Sequence, residues 1–282
     1  MIYISSSCIK NASIIKTIEE LVKAGFANIE LSGGSEYYNC LEQDVLEIQK
    51  KYQINLLVHN YFPPPQQHFV LNLASLNDDI FDRSVRHYLN AIELSKKIKA
   101  DRFSLHAGFF MDISAHEVGK ELSLSKKYPK EMAIEKFCYG YNLIKSKAKG
   151  LKLYIENNVL STNNLKLYKK NPFLLTHSTE FFELKNIIDF NLLLDIAHLK
   201  VSSNALKIEF EKELDQLAQY SDYFHVSDND GFADTNSPIS ENSRLFQFIQ
   251  KYSTDVITIE IYDDIQTIQN CYRKLTSLQY QK

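Results

Sequence analysis

The chain has 282 residues, of which 44% are hydrophobic and 24% are charged, and its 32 basic and 35 acidic residues give a formal net charge of −3. A charge this balanced gives no electrostatic reason to expect nucleic-acid binding, which usually needs a concentrated basic surface. With 6 Pro and 8 Gly, the composition is that of an ordinary globular protein and excludes a low-complexity or collagen-like chain.

The cysteines and the N-terminal residues indicate the cellular compartment. No two of Cys8, Cys40, Cys138 and Cys271 stand at CxxC spacing, so the sequence predicts neither a zinc knot nor a disulfide framework. The first residues lack the regions of a signal peptide, and no apolar run approaches the roughly 20 residues that span a bilayer. We therefore expect a soluble, cytoplasmic protein without membrane attachment.

Short apolar runs alternate along the chain with longer segments of helical periodicity. The predicted strands are, in chain order, Ile2–Ile9, Ala27–Leu31, Asn55–Asn60, Arg102–His106, Leu151–Asn157, Asn191–His198, Tyr223–Val226 and Val256–Tyr262. The predicted helices are Ser13–Lys23, Leu41–Lys51, Asp79–Lys99, Lys130–Lys149, Ser178–Ile188, Ile208–Gln219, Ser243–Tyr252 and Ile265–Leu278. The strands are almost continuously apolar, which is typical of parallel strands covered on both faces.

The order of these elements predicts the fold class. Eight consecutive strand–helix units of about 30 to 40 residues, without a glycine-rich phosphate loop, favour a closed barrel over an open doubly wound sheet. No linker or low-complexity tract divides the chain. We therefore predict an α/β protein, a (β/α)8 TIM barrel that forms a single domain over residues 1–282.

Ionisable side chains stand near the C-terminal ends of seven predicted strands, where the active site of such a barrel lies. From the second strand to the eighth they are Glu30, His59, His106, Glu156, Asp195 with His198, His225 and Glu260. A lone histidine at a strand end is more often a hydrogen-bonded core residue, and a lone buried glutamate is commonly paired with a basic residue. Here the basic residues Arg102 and Lys152 lie at strand starts, at the opposite end of the barrel.

Several carboxylates in one apolar environment point to a metal. An isolated buried carboxylate is costly to desolvate, and shared coordination of a cation removes that cost. Glu156, Asp195, His225 and Glu260 form a four-ligand set from consecutive strands, so we predict one divalent metal ion. A mixed set of carboxylates and imidazoles accepts Mn, Mg, Co or Zn.

With these residues in this order, the chain resembles the xylose isomerase-like superfamily of TIM barrels over essentially its whole length. That superfamily includes sugar isomerases and epimerases as well as endonuclease IV. The resemblance to the epimerase branch implies that Glu156, Asp195, His225 and Glu260 hold the metal, and that Glu156 and Glu260 serve as the acid/base pair. It also implies that His198, the last residue of a D-x-x-H motif, contacts the substrate or a metal.

The first hypothesis is therefore a metal-dependent isomerase or epimerase that acts on a small sugar or sugar phosphate through an enediolate. Glu156 and Glu260 would remove and return the proton, and His198 would orient a substrate oxygen. The predicted substrate pocket is lined by His59, His106, Glu30 and Tyr61.

The chain also resembles the endonuclease IV branch of the superfamily. That branch holds three zinc ions and uses further histidines on strands three and four and a D-x-H motif. His59 and His106 match those histidines, but the D-x-H motif here is Asp234-Thr235-Asn236, with Asn236 in place of the last histidine. The loop after strand seven also contains Asp228, Asp230, Asp234 and Glu241, a surface that repels a polyanion. A phosphodiesterase acting on abasic DNA is therefore the alternative hypothesis, and no nucleic-acid partner is expected.

A third hypothesis is a barrel that binds a metal or a sugar without catalysis. The presence of all four predicted metal ligands speaks against it. Tight metal binding without proton exchange on any sugar would favour it.

Overall fold

Eight parallel strands pair in sequence order, and the first strand also pairs with the eighth, so the sheet closes into a barrel. Ile4 of the first strand lies opposite Ile29 on one side and opposite Ile259 on the other. Helices on the outside cover these apolar strands, and most buried hydrophobic residues form one cluster with them. The prediction of a (β/α)8 TIM barrel is confirmed.

The computed structural model describes residues 1–117, 122–240, 242–252 and 254–279, so Glu241 lies outside the described residues. The strands are β1 Ile2–Ser5, β2 Asn28–Leu31, β3 Asn55–His59, β4 Arg102–His106, β5 Lys152–Glu156, β6 Asn191–Asp195, β7 Tyr223–Val226 and β8 Val256–Ile259. The α-helices are α1 Ile14–Lys23, α2 Leu41–Tyr52, α3 Asp78–Lys97, α4 Lys130–Lys147, α5 Thr162–Tyr168, α6 Ser178–Lys185, α7 Ile196–Leu206, α8 Phe210–Ala218, α9 Arg244–Lys251 and α10 Ile265–Gln279. None of the helices in these ranges is both long enough and apolar enough to cross a membrane.

The interior of the barrel has an apolar layer beneath a polar one. The apolar layer is a separate buried cluster of Tyr3, Leu57, Tyr154, Leu193, Tyr223 and Val256. Side chains of a strand alternate between its two faces, so the residue two positions further along each strand also points inward. These next residues are Ser5, His59, Glu156, Asp195, His225 and Thr258. The two-residue period therefore places the polar layer toward the C-terminal ends of the strands.

The sixth strand is shorter than predicted, and it is followed directly by a helix that the sequence patterns did not predict. Strand β6 ends at Asp195, whose carboxylate accepts a hydrogen bond of 2.7 Å from the backbone N–H of His198. This N-cap satisfies a free donor in the first turn, so helix α7 begins at Ile196. His198 consequently lies in the first turn of a helix and not at the end of a strand.

Other differences also concern the mouth of the barrel. Strands β1 and β8 end at Ser5 and Ile259, before the predicted Ile9 and Tyr262. Ser6–Cys8 form a short 3-10 helix after β1. Helix α5 was not predicted, and it begins after Ser161, whose hydroxyl accepts a hydrogen bond from the backbone N–H of Asn164.

Candidate functional site

Glu156 lies at the centre of a buried group of imidazoles, and only 1% of its surface is exposed. Its Oε2 lies 3.1 Å from Nε2 of His59 and 3.5 Å from Nδ1 of His106. Its Oε1 lies 3.5 Å from Nδ1 of His198 and 3.8 Å from Nδ1 of His225. These five residues belong to β5, β3, β4, α7 and β7, so closure of the barrel is what brings them together.

A second contact region surrounds His225, which is fully buried. Its Nδ1 lies 3.4 Å from Oε2 of Glu260, and one donor atom from each of Asp195, His225 and Glu260 lies within 4.8 Å of the other two. Since Glu156 is 3.8 Å from the same ring, all four residues that the sequence predicts as metal ligands converge on one place.

Three further sets of donors have the same spacing of 4.8 Å or less. They are His59 with His106 and Glu156, Glu156 with Asp195 and His198, and Glu30 with His59 and His225. Glu156 and His59 each belong to two of these sets, so the sets form one continuous cluster.

His198 connects this cluster to the loop after β7. Its Nε2 lies 3.2 Å from Oδ2 of Asp234 and 3.9 Å from Oδ2 of Asp195. Its Nδ1 lies 2.9 Å from the backbone oxygen of Asn157. The loop therefore adds a carboxylate, Asp234, to the donors that the strand ends supply.

Glu30 lies beneath the cluster and has no exposed surface, whereas the sequence analysis placed it on the wall of the pocket. Its Oε2 accepts hydrogen bonds from the hydroxyl of Tyr223 and, at 2.6 Å, from that of Thr258. Its Oε1 lies 3.0 Å from Nε2 of His225 and 3.5 Å from Nδ1 of His59. The side chain is enclosed by its neighbours, so it contacts histidines of the cluster and does not face the mouth.

Tyr61, the other predicted pocket residue, uses its polar group within its own loop. Its hydroxyl accepts a hydrogen bond of 3.1 Å from the backbone N–H of Phe69 and lies 3.1 Å from Nδ1 of His68. Its ring stacks on that of His87, with 5.7 Å between the ring centroids. The described contacts of Tyr61 thus stabilise the loop after β3.

The charges of the cluster balance internally. Burial opposes ionisation of Glu260, but the neighbouring His225 and His59 lower its pKa to about 2. Burial likewise opposes ionisation of Glu156, yet the surrounding imidazoles hold its pKa well below the usual value. Burial disfavours a protonated His225, but Glu30 and Glu260 raise its pKa. Histidine protons therefore neutralise the carboxylates, as a bound cation also would.

In two members of the cluster, Asp195 and His106, burial outweighs the neighbouring charges and shifts the pKa toward the neutral form. Burial raises the pKa of Asp195 to about 7, with Glu156 adding to the effect and His198 opposing it. Burial lowers the pKa of His106 to about 4, against the attraction of Glu156. His106, whose side chain is 29% exposed, is thus a neutral imidazole at physiological pH and presents part of its ring to the mouth.

The donors that the cluster leaves without a hydrogen bond fit a divalent metal. Among the described residues, the buried atoms without a hydrogen-bond partner include Oε2 of Glu156, Oε1 of Glu30, Oδ1 of Asp234 and both ring nitrogens of His225. Buried polar atoms normally have partners, because an unsatisfied one costs free energy. Carboxylate oxygens and imidazole nitrogens are common ligands of Mn, Co and Zn.

Three inward-facing polar residues of this region were missed in the sequence analysis. Ser104 lies 2.8 Å from Nδ1 of His59, and Tyr223 and Thr258 donate to Glu30. Each of them precedes a predicted site residue by two positions, namely His106, His225 and Glu260. The two-residue period of a strand was therefore the signal that could have found them.

A family model described as xylose isomerase-like TIM barrel matches residues 18–275. The chain belongs to the xylose isomerase-like TIM barrel family. No curated protein matches its sequence at a significant level.

Solved structures of this fold are similar over nearly the whole chain. A D-tagatose 3-epimerase-like protein is 18% identical with a TM-score of 0.72, and the alignment covers 99% of this chain and 98% of that chain. D-psicose 3-epimerase from Clostridium cellulolyticum, solved with D-tagatose, is 13% identical with a TM-score of 0.63 and coverage of 99% and 96%. Endonuclease IV from Thermus thermophilus is 11% identical with a TM-score of 0.59 and coverage of 100% and 99%. At such identities the likeness shows the fold alone.

Proposed function

We propose that this protein is a divalent-metal-dependent isomerase or epimerase that acts on a small sugar. The observation that supports the proposal is the convergence of Glu156, Asp195, His225 and Glu260 at the mouth of the barrel. A divalent ion held by these four residues would polarise the carbonyl and the adjacent hydroxyl of a bound sugar.

Glu156 and Glu260 are the proposed acid/base pair. One carboxylate takes the proton from the carbon next to the carbonyl. The electron pair of that C–H bond forms a C=C bond while the π pair of the carbonyl moves onto its oxygen, which gives an enediolate. The other glutamate, once it has taken up a proton from solvent, gives that proton either to the opposite face of the same carbon or to the neighbouring carbon, and the base then releases its own proton to solvent. Both glutamates are held ionised by neighbouring imidazoles, so either can begin as the base.

His198 is the proposed contact to a substrate oxygen, as the sequence analysis predicts. Its Nδ1 faces the backbone oxygen of Asn157, so Nε2, which lies 3.2 Å from Oδ2 of the partly exposed Asp234, is the atom that would turn to the substrate. His106 and Asp234 are partly exposed, with 29% and 22% of their side chains accessible, and they give the pocket polar walls.

The charge around the mouth favours a neutral sugar over a phosphorylated one. Asp228, Asp230 and Asp234 lie in the loop after β7, and Lys200, which contacts this loop, is already bound to Asp228 at 2.5 Å. A phosphate group near this loop would face carboxylates.

The direct test is hydrogen exchange into sugars in D2O. The purified protein, loaded with Mn, Co or Zn, is incubated with free ketoses and aldoses and with their phosphates, and 1H NMR follows the signal of the hydrogen next to the carbonyl. We expect loss of that signal and appearance of an isomer for a free sugar, in wild type and in Glu180→Gln but not in Glu260→Gln. Glu180 is a matched control because it is a buried glutamate on α6, where it contacts Thr176.

Metal binding without exchange into any sugar would contradict the proposal and favour a non-catalytic barrel. Faster exchange into sugar phosphates than into free sugars would contradict the argument from the acidic loop while leaving the reaction type intact.

A metal-dependent phosphodiesterase acting on abasic DNA is the second candidate, because His59, His106 and Glu156 form a further donor set and His198 pairs with Asp234. Asn236 in place of a histidine and the acidic loop oppose it. The assay is strand cleavage of a duplex oligonucleotide with one abasic site. Cleavage that stops on addition of a chelator, together with two or three bound metal equivalents, would favour this candidate over the isomerase.

A further inference from the structure

We propose that Glu30 is a positioning residue that selects the ring orientation and tautomer of His225 for metal binding and, to a lesser degree, orients the ring of His59 toward the ligand Glu156. The inference rests on the proposed metal centre and not on the sugar chemistry. Its basis is a carboxylate that is fully buried beneath the cluster and is close to ring nitrogens of two histidines.

Each histidine faces Glu30 with one nitrogen and the proposed metal ligands with the other. Nε2 of His225 lies 3.0 Å from Oε1 of Glu30, while its Nδ1 lies 3.4 Å from Glu260. Nδ1 of His59 lies 3.5 Å from the same Oε1, while its Nε2 lies 3.1 Å from Glu156. A carboxylate that accepts the far N–H of a ligand histidine fixes its tautomer and strengthens its remaining nitrogen as a ligand.

The two oxygens of Glu30 have separate partners. Tyr223 and Thr258 donate their hydroxyl hydrogens to Oε2, and they precede His225 and Glu260 by two residues on β7 and β8. This anchoring leaves Oε1 facing the histidines. Oε1 and Nε2 of His225 are close but have no hydrogen bond of good geometry, so a small rotation of the ring toward a metal on Nδ1 would complete one.

His225 depends on Glu30 more than His59 does. Nδ1 of His59 also lies 2.8 Å from the hydroxyl of Ser104, which can replace Glu30 as its partner. Glu30 is the only charged group near Nε2 of His225 within the described ion pairs. Loss of Glu30 should therefore act chiefly on the donor set of Asp195, His225 and Glu260.

Replacement of Glu30 by glutamine gives a sharp test. Since Tyr223 and Thr258 both donate, they would hold the amide oxygen of the glutamine and leave its NH2 against Nε2 of His225. A donor there favours the tautomer with hydrogen on Nδ1, which is the wrong form for binding a metal through Nδ1. If Glu30 served only to fill space, the isosteric Glu30→Gln would lower zinc affinity less than Glu30→Ala. If Glu30 selects the tautomer, Glu30→Gln lowers zinc affinity at least as much as Glu30→Ala.

The experiment is zinc affinity by competition with a chromophoric chelator, together with long-range 1H–15N spectra of histidine-labelled protein, in which His225→Ala identifies the signals of His225. Wild type, Glu30→Gln, Glu30→Ala and the control Glu180→Gln are compared. We expect zinc affinity to fall about 10- to 100-fold in Glu30→Gln with unchanged stoichiometry at saturation. The Nε2–H signal of His225 should be present in the zinc-loaded wild type, whereas the metal-free Glu30→Gln variant should carry the hydrogen of a neutral His225 ring on Nδ1.

Unchanged affinity and an unchanged His225 spectrum in Glu30→Gln would overturn this inference and leave the proposed function standing. If Glu30→Gln lost one whole metal equivalent while the other metal bound with unchanged affinity, Glu30 would be a metal ligand, and the inference that it is a positioning residue would also be overturned. A wild-type protein that takes up no zinc, manganese or cobalt would overturn both the inference and the proposed function. If Glu30→Ala does not fold, Thr258→Val removes one anchor of Glu30 and should weaken zinc binding less than Glu30→Gln does.

Discussion

Nε2 of His59 on β3 lies 3.1 Å from Oε2 of Glu156 on β5, although strand β4 separates the two strands in the sheet. The contact is possible because the sheet closes and both side chains point into the barrel. It places one carboxylate between histidines that come from different sides of the mouth, which makes Glu156 the residue whose loss should disturb the cluster most.

Replacement of Glu156 by glutamine should weaken metal binding by at least about 100-fold, the upper end of what loss of an outer partner costs. The reason is that both carboxylate oxygens of Glu156 face histidines, and one neutral amide cannot replace them. Elemental analysis and chelator competition measure the change, and Glu180→Gln serves as the control. Full metal content in Glu156→Gln would place the metal outside this cluster.

Substitution of His225 and of His106 by alanine should have different effects. His225 is fully buried and faces Glu260 and Glu156, so His225→Ala should lose the single metal equivalent. The ring of His106 is partly exposed and contacts Glu156 at 3.5 Å, so His106→Ala should keep the metal and lower kcat/KM by about tenfold. A wild type with two or more equivalents, one of which is lost in His106→Ala, would argue for a multinuclear site instead.

The ion pair between His177 and Glu180 should stabilise the fold at low pH and lose this effect as pH rises. Burial lowers the pKa of His177, but Glu180, with its Oε2 3.5 Å from Nδ1, outweighs burial and raises the pKa above that of a free histidine. A pKa raised on folding contributes stability below the unfolded value of about 6.5, and the contribution disappears as pH rises through the folded value.

Urea unfolding of wild type and His177→Gln at several pH values measures this contribution. We expect the difference in their free energies of unfolding to be largest near about pH 5.5 and to shrink steadily toward about pH 9. The difference should be small at every pH when Glu180→Gln is present in both proteins. If the difference in free energy of unfolding grew with pH instead, the pKa of His177 would not be raised by folding, and the prediction would be wrong.

Gly108, in the loop after β4, should not tolerate a larger side chain. An added Cβ would lie 2.5 Å from Cβ of Ala74 and 3.2 Å from Oδ1 of Asn72, which accepts a hydrogen bond from the backbone N–H of Phe109. Gly108→Ala should therefore lower the free energy of unfolding by about 1–3 kcal/mol through overpacking.

Gly33→Ala is the matched control for this substitution, because its Cβ would meet Tyr61 at an ordinary contact distance of 3.7 Å. Denaturant unfolding of both variants should show a loss of less than about 1 kcal/mol for Gly33→Ala. Equal stability of the two variants would mean that the loop after β4 shifts at little cost.

The sequence by itself determined the barrel and the strand ends on which the cluster is built. Eight apolar runs separated by helical segments predict parallel strands covered on both faces, and the C-terminal position of Glu156, Asp195, His225 and Glu260 follows from the strand boundaries alone. These are local properties, because hydrophobic periodicity depends only on residues that are near each other in the chain.

The tertiary structure decided which of these side chains meet and which are accessible. Glu30 and Tyr61 were expected in the pocket, but the first is enclosed by Tyr223 and Thr258, and the hydroxyl of the second contacts its own loop. Residues such as Glu30 and Thr258 are 228 positions apart in the chain, and their contact depends on the register and closure of the sheet. No local pattern specifies such a contact, because it exists only where the pairing of β1 with β8 closes the sheet and brings β2 and β8 to the same side of the barrel.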